Sequence, residues 1–378
     1  LLAGQSPRTW SFFSACIALL AGAALALVAY RAARRNGAPI EVAFVTLAAG
    51  IAMLDPFNTR AQVAGWFMLA LMLVVLDGEG PWLWAAAPLA AIWSNIHASA
   101  ILAPALCVAA LCACALEDRA WTPRVKRRVA VAATVAAAIC VNPLGFALPA
   151  YSVRLLANPI KQYIAEWGPT TLGGYAFPLG ALPLLLIAAI RGVRKNVRLA
   201  DAFVYVGFTV LLFSAARNIP LFAIAVAPLI VRPDKEEAQS PQRVLSLPIL
   251  VCAVFVGGLA NAERFASALP TTEIIALQNA PGEHRAFCEK LSWCGYLSGN
   301  PRVSVFMDGR ADPYPLGVWN EYETITHVRS GWDALLDSYK VDAIVSKRDS
   351  SLDQALGFAG PWHEAVSDPQ FRLWTRTL

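Results

Sequence analysis

The sequence predicts an α-helical polytopic membrane bundle of about ten spans, carrying a small C-terminal α/β domain on the extracytoplasmic side. Three observations point there. Hydrophobic residues make up 57% of the 378 positions and charged residues only 15%, whereas a soluble domain holds about a quarter charged. Apolar runs separated by short polar connections fill the chain up to residue 260. Lys and Arg crowd every second connection, the asymmetry that orients membrane proteins.

The apolar runs cover 10–30, 39–54, 61–76, 82–96, 98–116, 128–141, 177–190, 200–214, 219–231 and 244–260. Several fall short of the ~20 residues a perpendicular span needs, so their helices must extend into flanking polar residues. One set of connections holds Arg31/Arg34/Arg35, Arg119 to Arg128, Arg191 to Arg198 and Arg232 to Arg243, with fifteen Lys/Arg. The opposite set holds five: Arg8, Arg60, Arg154, Lys161 and Arg217. The Asp77–Pro81 turn carries no base and is uninformative by this criterion. Positive-inside logic places the basic set in the cytoplasm of a bacterial inner membrane and everything after residue 261 in the periplasm. The net charge of +5 lies mostly in short loops, which argues against nucleic acid as a partner. Position 1 is Leu, not Met, and the chain reads as a piece lacking its natural start, with no signal peptide to argue for.

The domain boundary is expected at 261/262, giving a helical domain over 1–261 and an α/β domain over 262–378. In the latter, Arg302 to Met307 reads as a strand and Gly331 to Lys340 as a helix. Val341 to Val345 reads as a buried strand and Ser351 to Phe358 as a helix. Glu364–Ser367 and Phe371–Thr375 read as a hairpin about Asp368-Pro369. Six of eight Cys lie in apolar runs, where a thiol acts as a small hydrophobe. Cys288 and Cys294 lie outside them, and an oxidising compartment would favour their disulfide. No Cys-x-x-Cys pair exists and the four His are scattered, so no metal site is expected. No cofactor is evident, and a divalent metal has no support.

The polar set on the weakly basic side is where function is sought. Arg60 ends the Asp55–Arg60 connection, with Gln62 just inside the next run. There a guanidinium serves either as a snorkelling anchor or as a bidentate phosphate ligand. Asn95 and His97 sit between two spans with almost no loop to hold them, suiting a cavity lining as well as a cap. Asn142 opens the long stretch to Ala176, in which Glu166-Trp167 holds the one acid. Arg217 lies in a tight turn. Arg60, His97 and Arg217 together offer cationic or hydrogen-bonding groups to an anionic lipid headgroup. In the second domain, Asp308 and Arg310 follow a strand, where α/β domains place ligands.

These residues resemble a bacterial family of polytopic membrane proteins related to the GT-C glycosyltransferases, the protein O-mannosyltransferases among them. The matching pieces are Arg60-Ala61-Gln62 (the family reads Arg-Pro-Gln), Trp93–His97 (Trp-Ala-Asn-Leu-His), Asn142–Gly145 (Asn-Pro-Tyr-Gly) and Glu166-Trp167. Arg217 ahead of Pro220 and Pro228, Trp293–Leu297 and Phe306–Arg310 complete the set, in order over 45–378. The resemblance implies sugar transfer from a polyprenyl-phosphate carrier on the extracytoplasmic face. The family's catalytic acid lies in a first outer loop that is absent here, leaving Asp55 and Glu166 as nearest substitutes. A non-catalytic scaffold of envelope glycan assembly and a lipid-linked substrate transporter are the alternatives. A transporter predicts internal repeats, and none is evident.

Overall fold

The computed structural model describes residues 7–35, 37–54, 61–193, 197–231, 269–310, 313–358 and 360–376. The candidate residues Asp55 and Arg60 and the expected span over 244–260 lie outside these. The chain divides into two compact units, Phe13–Ala260, and Asn261–Leu378 together with Leu1–Phe12.

The first unit is helical. Its described helices are α1 (Pro7–Arg34, in this unit from Phe13 onward), α2 (Pro39–Leu54), α3 (Ala61–Leu76), α4 (Ala86–Ile96), α5 (Leu102–Asp118), α6 (Pro123–Ala138), α7 (Ala147–Ala157), α8 (Leu182–Val193), α9 (Leu199–Ser214) and α10 (Ile219–Val226). Local chemistry sets their ends. Thr122 caps α6 by accepting the Val125 N–H at 3.2 Å, with Pro123 at the first helical position. Asn218 closes α9 by donating to the Leu211 carbonyl and the Ser214 hydroxyl, both at 3.0 Å. All eight residues of α10 are buried. A π-helical turn, Ala176–Ala181, leads into α8 and lies directly on α2, because Gly180 has no side chain. A Cβ there would stand 2.5 Å from the Ala52 nitrogen.

Two segments, Phe12–Arg34 and Ala98–Asp118, are long and apolar enough to cross a membrane alone. Five shorter apolar helices accompany them: Pro39–Leu54, Ala61–Leu76, Ala176–Gly192, Leu199–Ser214 and Ala216–Ile230. The expectation of about ten full spans is thus met in length by two described helices. At 1.5 Å per residue a 16-residue helix reaches about 24 Å, short of a ~30 Å hydrocarbon core.

One end of this unit is held by ion pairs. Arg31, only 3% exposed, donates to Asp77 at 2.8 Å. Arg35 grips Asp201 with two 2.8 Å bonds and stands 3.8 Å from Asp77. Arg128 bonds Glu79 at 2.8 Å, and Arg124 reaches Glu79, Glu117 and Asp118. Arg191 meets Glu41 at 3.5 Å. Burial works to raise the Asp77 pKa, but Arg31, then Arg35 and Arg198, outweigh it and hold the carboxyl below its usual range. The turn that carried no orienting base therefore supplies two of the acids, Asp77 and Glu79, that fasten the basic connections.

The second unit begins with α11 (Thr271–Asn279) and continues β1 (His284–Cys288), α12 (Leu291–Leu297), β2 (Val303–Val305), α13 (Leu316–Thr326), α14 (Trp332–Ser338), β3 (Ala343–Lys347), α15 (Ser351–Phe358), β4 (His363–Ser367) and β5 (Phe371–Thr375). The sheet order is β2-β1-β3-β5-β4. β1 pairs in parallel with β2 and β3, and β5 runs antiparallel to β3 and β4. β3, AIVSK, is buried on both faces over its first four residues, as expected of an interior strand covered by helices on both sides. The hairpin turn forms because the Asp368 carboxylate accepts the Gln370 and Phe371 N–H groups at 2.6 and 2.8 Å. Cys288, at the end of β1, is disulfide-bonded to Cys294 in α12, with Cα atoms 5.5 Å apart. The strand expected at 302–307 is three residues long, and that expected at 341–345 is shifted to 343–347. The helix expected at 331–340 covers Trp332–Ser338.

Candidate functional site

Antiparallel neighbours put the starts of α3 and α10 and the ends of α4 and α9 at the end of the helical unit opposite the ion pairs. There Arg217 occupies a single 3₁₀ turn, Ala216–Asn218. Its Nη2 donates to the Gln62 Oε1 at 3.3 Å, and the Gln62 Nε2 donates back to the Arg217 carbonyl at 3.4 Å. Gln62 is 8% exposed, so this exchange keeps its amide satisfied inside the bundle. The guanidinium lies 4.8 Å from the centre of the Trp167 ring, a cation–π distance. The Ala216 N–H donates to the Gly168 carbonyl at 2.9 Å, which ties this turn to the Glu166-Trp167 stretch.

His97 stands between α4 and the 3₁₀ turn Ala98–Ile101, which its ring caps: Nδ1 accepts the Ser99 N–H at 3.1 Å. The Ser99 hydroxyl lies 2.8 Å from the same Nδ1 and 3.1 Å from the Nε1 of fully buried Trp93. α3 leaves room for this cluster at Gly65, where a Cβ would fall 2.9 Å from the Ser99 Oγ and 3.6 Å from both His97 Nδ1 and Trp93 Nε1. Burial, with the Arg217 charge adding to it, lowers the His97 pKa to about 4. The imidazole is therefore neutral at pH 7. The cationic role open to it in the sequence falls to Arg217.

The remaining candidates divide. Asn95 donates to the Ala91 and Val141 carbonyls at 2.8 and 2.6 Å. Asn142 donates to the Ile139 carbonyl at 2.7 Å and accepts the Leu144 N–H at 2.8 Å. Asn95 thereby ties the end of α4 to the connection after α6, whereas Asn142 braces its own turn. α7 is laid against the 98–101 turn by Ser152, which donates to the Leu148 and Ala98 carbonyls. Glu166 is half-buried in a 3₁₀ turn beside Trp167. In the second unit Asp308, 3% exposed, closes on Arg310, 72% exposed, with an N–O distance of 2.7 Å. The Asp308 N–H also donates to the Tyr314 hydroxyl at 3.1 Å, so the pair organises the loop after β2. No cluster of three His, Cys, Asp or Glu able to hold a metal occurs among the described residues.

Sequence reasoning missed Ser99, Gly65 and the Trp167 stack. A hydroxyl two residues after a histidine that begins a turn was the one available signal. A distinct cavity of about 330 Å³ lies at the ion-paired end, lined by Ile40, Phe44, Val45, Ile187 and Ile230 with Glu41 and Arg191. Its guanidinium already faces a carboxylate.

No family model matches the chain, and no curated protein matches it. Among solved structures, the chain is similar to the archaeal oligosaccharyltransferase AglB from Archaeoglobus fulgidus, determined with an inhibitory peptide and a dolichol-phosphate, at 11% identity and a TM-score of 0.43. That match covers 93% of this chain and 63% of the other. A likeness at this level bears on neither activity nor ligand.

Proposed function

We propose that this protein is a GT-C-like membrane glycosyltransferase, binding a polyprenyl-phosphate-linked sugar at the end of the helical unit that holds His97 and Arg217. The observation that carries the reading is the convergence of Gln62, His97, Trp167 and Arg217 from separate connections. A guanidinium backed by an aromatic face and an amide, next to a neutral imidazole, suits a phosphate oxygen. The sugar-transfer part rests on the ordered motifs from Arg60-Ala61-Gln62 to Phe306–Arg310. The shorter apolar helices are read as tilted spans in a bundle of about ten. The ion-paired end faces the cytoplasm of a bacterial inner membrane, and the second unit faces the periplasm, where a disulfide such as Cys288–Cys294 persists. Glu166 and Asp55 are the candidate bases for deprotonating an acceptor.

The test is binding of a polyprenyl-phosphate sugar to the detergent-solubilised chain and to its Arg217→Gln, Arg60→Ala and His97→Ala variants. Binding that drops at least tenfold in Arg217→Gln supports the reading. Equal binding in all three variants removes it.

A further inference from the structure

Three donors and acceptors around His97 leave only one consistent assignment of protons. An indole N–H can only donate, and Trp93 is fully buried with Ser99 Oγ as its partner at 3.1 Å. The Ser99 oxygen therefore accepts from Trp93, and it lies 2.8 Å from the His97 Nδ1, where by itself it could either donate or accept. The Ser99 backbone N–H, also a compulsory donor, points at the same nitrogen from 3.1 Å. A proton on Nδ1 would face the backbone N–H head-on and orphan the cap of the 98–101 turn. Nδ1 is thus a bare acceptor, and in a neutral ring the proton sits on Nε2. Among the described residues no protein group bonds Nε2. Gly65 completes the device, since any larger residue there would push the Ser99 hydroxyl aside.

We propose that Trp93, Ser99 and Gly65 are positioning residues that lock His97 as a neutral Nε2–H donor for an oxygen of a phosphate-class ligand held by Arg217. The ligand half deepens the function proposed above and rests on it. The tautomer half stands alone. In this arrangement Arg217 supplies the charge and His97 supplies direction. His97 neither takes a proton from an acceptor nor adds a second positive charge.

The test is ¹⁵N NMR of the histidine ring nitrogens in the intact detergent-solubilised chain at pH 7. Four histidines give four sets of signals, and the set lost in His97→Gln is assigned to His97. The expected spectrum has the proton on Nε2 and Nδ1 unprotonated. Ser99→Ala and Gly65→Ala should each draw the two nitrogen shifts together, and Ser99→Thr should restore them. A wild-type ring protonated on Nδ1, or on both nitrogens, overturns the proposal with no variant needed. So does a Ser99→Ala spectrum identical to wild type.

A short-chain isoprenyl monophosphate and inorganic phosphate are then added in separate arms. The isoprenyl compound is expected to move Nε2 and not Nδ1, with inorganic phosphate needing at least tenfold more to do the same. Equal potency of the two would replace the lipid headgroup by free phosphate as the source. Ligand binding that depends on Arg217 but leaves the ring unmoved overturns the donor role while the function proposed above survives. No binding by either probe overturns that function while the tautomer assignment survives.

Discussion

The two ends of the helical unit solve the problem of polar groups near a membrane in opposite ways. At one end each of Arg31, Arg35, Arg124, Arg128 and Arg191 meets a carboxylate. At the other, an amide and an indole ring are among the groups that meet Arg217, and burial with the Arg217 charge keeps His97 neutral. Paired charges fasten helices and are costly to break singly. In sequence both ends looked like loops with arginines; in the structure they differ in the groups that meet those arginines.

Substitutions can break this contrast, and the largest effect is expected at the fastened end. Asp77→Ala strips Arg31 of its carboxylate inside the protein and should cost about 3 kcal/mol, read as a lower unfolding midpoint in detergent. An unchanged midpoint would mean that water screens the pair. Next comes Arg217→Gln, expected to leave that midpoint nearly unmoved while weakening isoprenyl-phosphate binding roughly thirtyfold, the scale of a charge-assisted contact. If unfolding shifts and binding does not, the two ends have been assigned the wrong way round. Gly180→Ala forces a methyl into the Ala52 backbone and should cost about 1–3 kcal/mol without touching ligand affinity.

The pH dependence sharpens the same contrast. The His97 pKa is lowered to about 4 in the folded protein, against about 6.5 unfolded. The unfolded chain then binds the extra proton between those values. Its contribution to stability is complete above about 6.5, declines as the pH falls, and is gone below about 4. Wild type should lose stability over that window relative to His97→Gln, as followed by thermal unfolding at successive pH values. Parallel curves would show a solvated ring. The smallest effect is expected at Arg310→Ala. Its guanidinium is 72% exposed, and the buried Asp308 carboxylate keeps the Arg310 backbone N–H when the side chain is removed, so chemical denaturation should register a loss of at most about 1 kcal/mol.

How much could be read beforehand depended on the range of the interaction. The hairpin around Asp368-Pro369 and the helix at 351–358 were legible because turn formers and spacing are local. β1 was not, since His284-Arg285-Ala286-Phe287-Cys288 is short and half polar and owes its place to pairing with β2 and β3. The candidate site divides the same way. His97, Gln62 and Arg217 stood out as polar residues bordering apolar runs. Ser99 acquired meaning only when Trp93 folded back onto it, and Gly65 only when α3 packed against that turn. Asp77 and Glu79, silent in the count of basic residues, turn out to anchor the basic end. Asn95 and Asn142 carried the polarity of ligand contacts but spend it on backbone carbonyls, Asn95 on the connection after α6 and Asn142 within its own turn.

The most direct measurement of this division is photo-crosslinking of the full chain in detergent with a diazirine-bearing isoprenyl phosphate, followed by peptide mapping. The account predicts label on the segments around His97, Trp167 and Arg217, reduced in Arg217→Gln. Label confined to the cavity between Ile40, Glu41, Ile187 and Arg191 would contradict it, because binding would then occur at the end where charges are already paired.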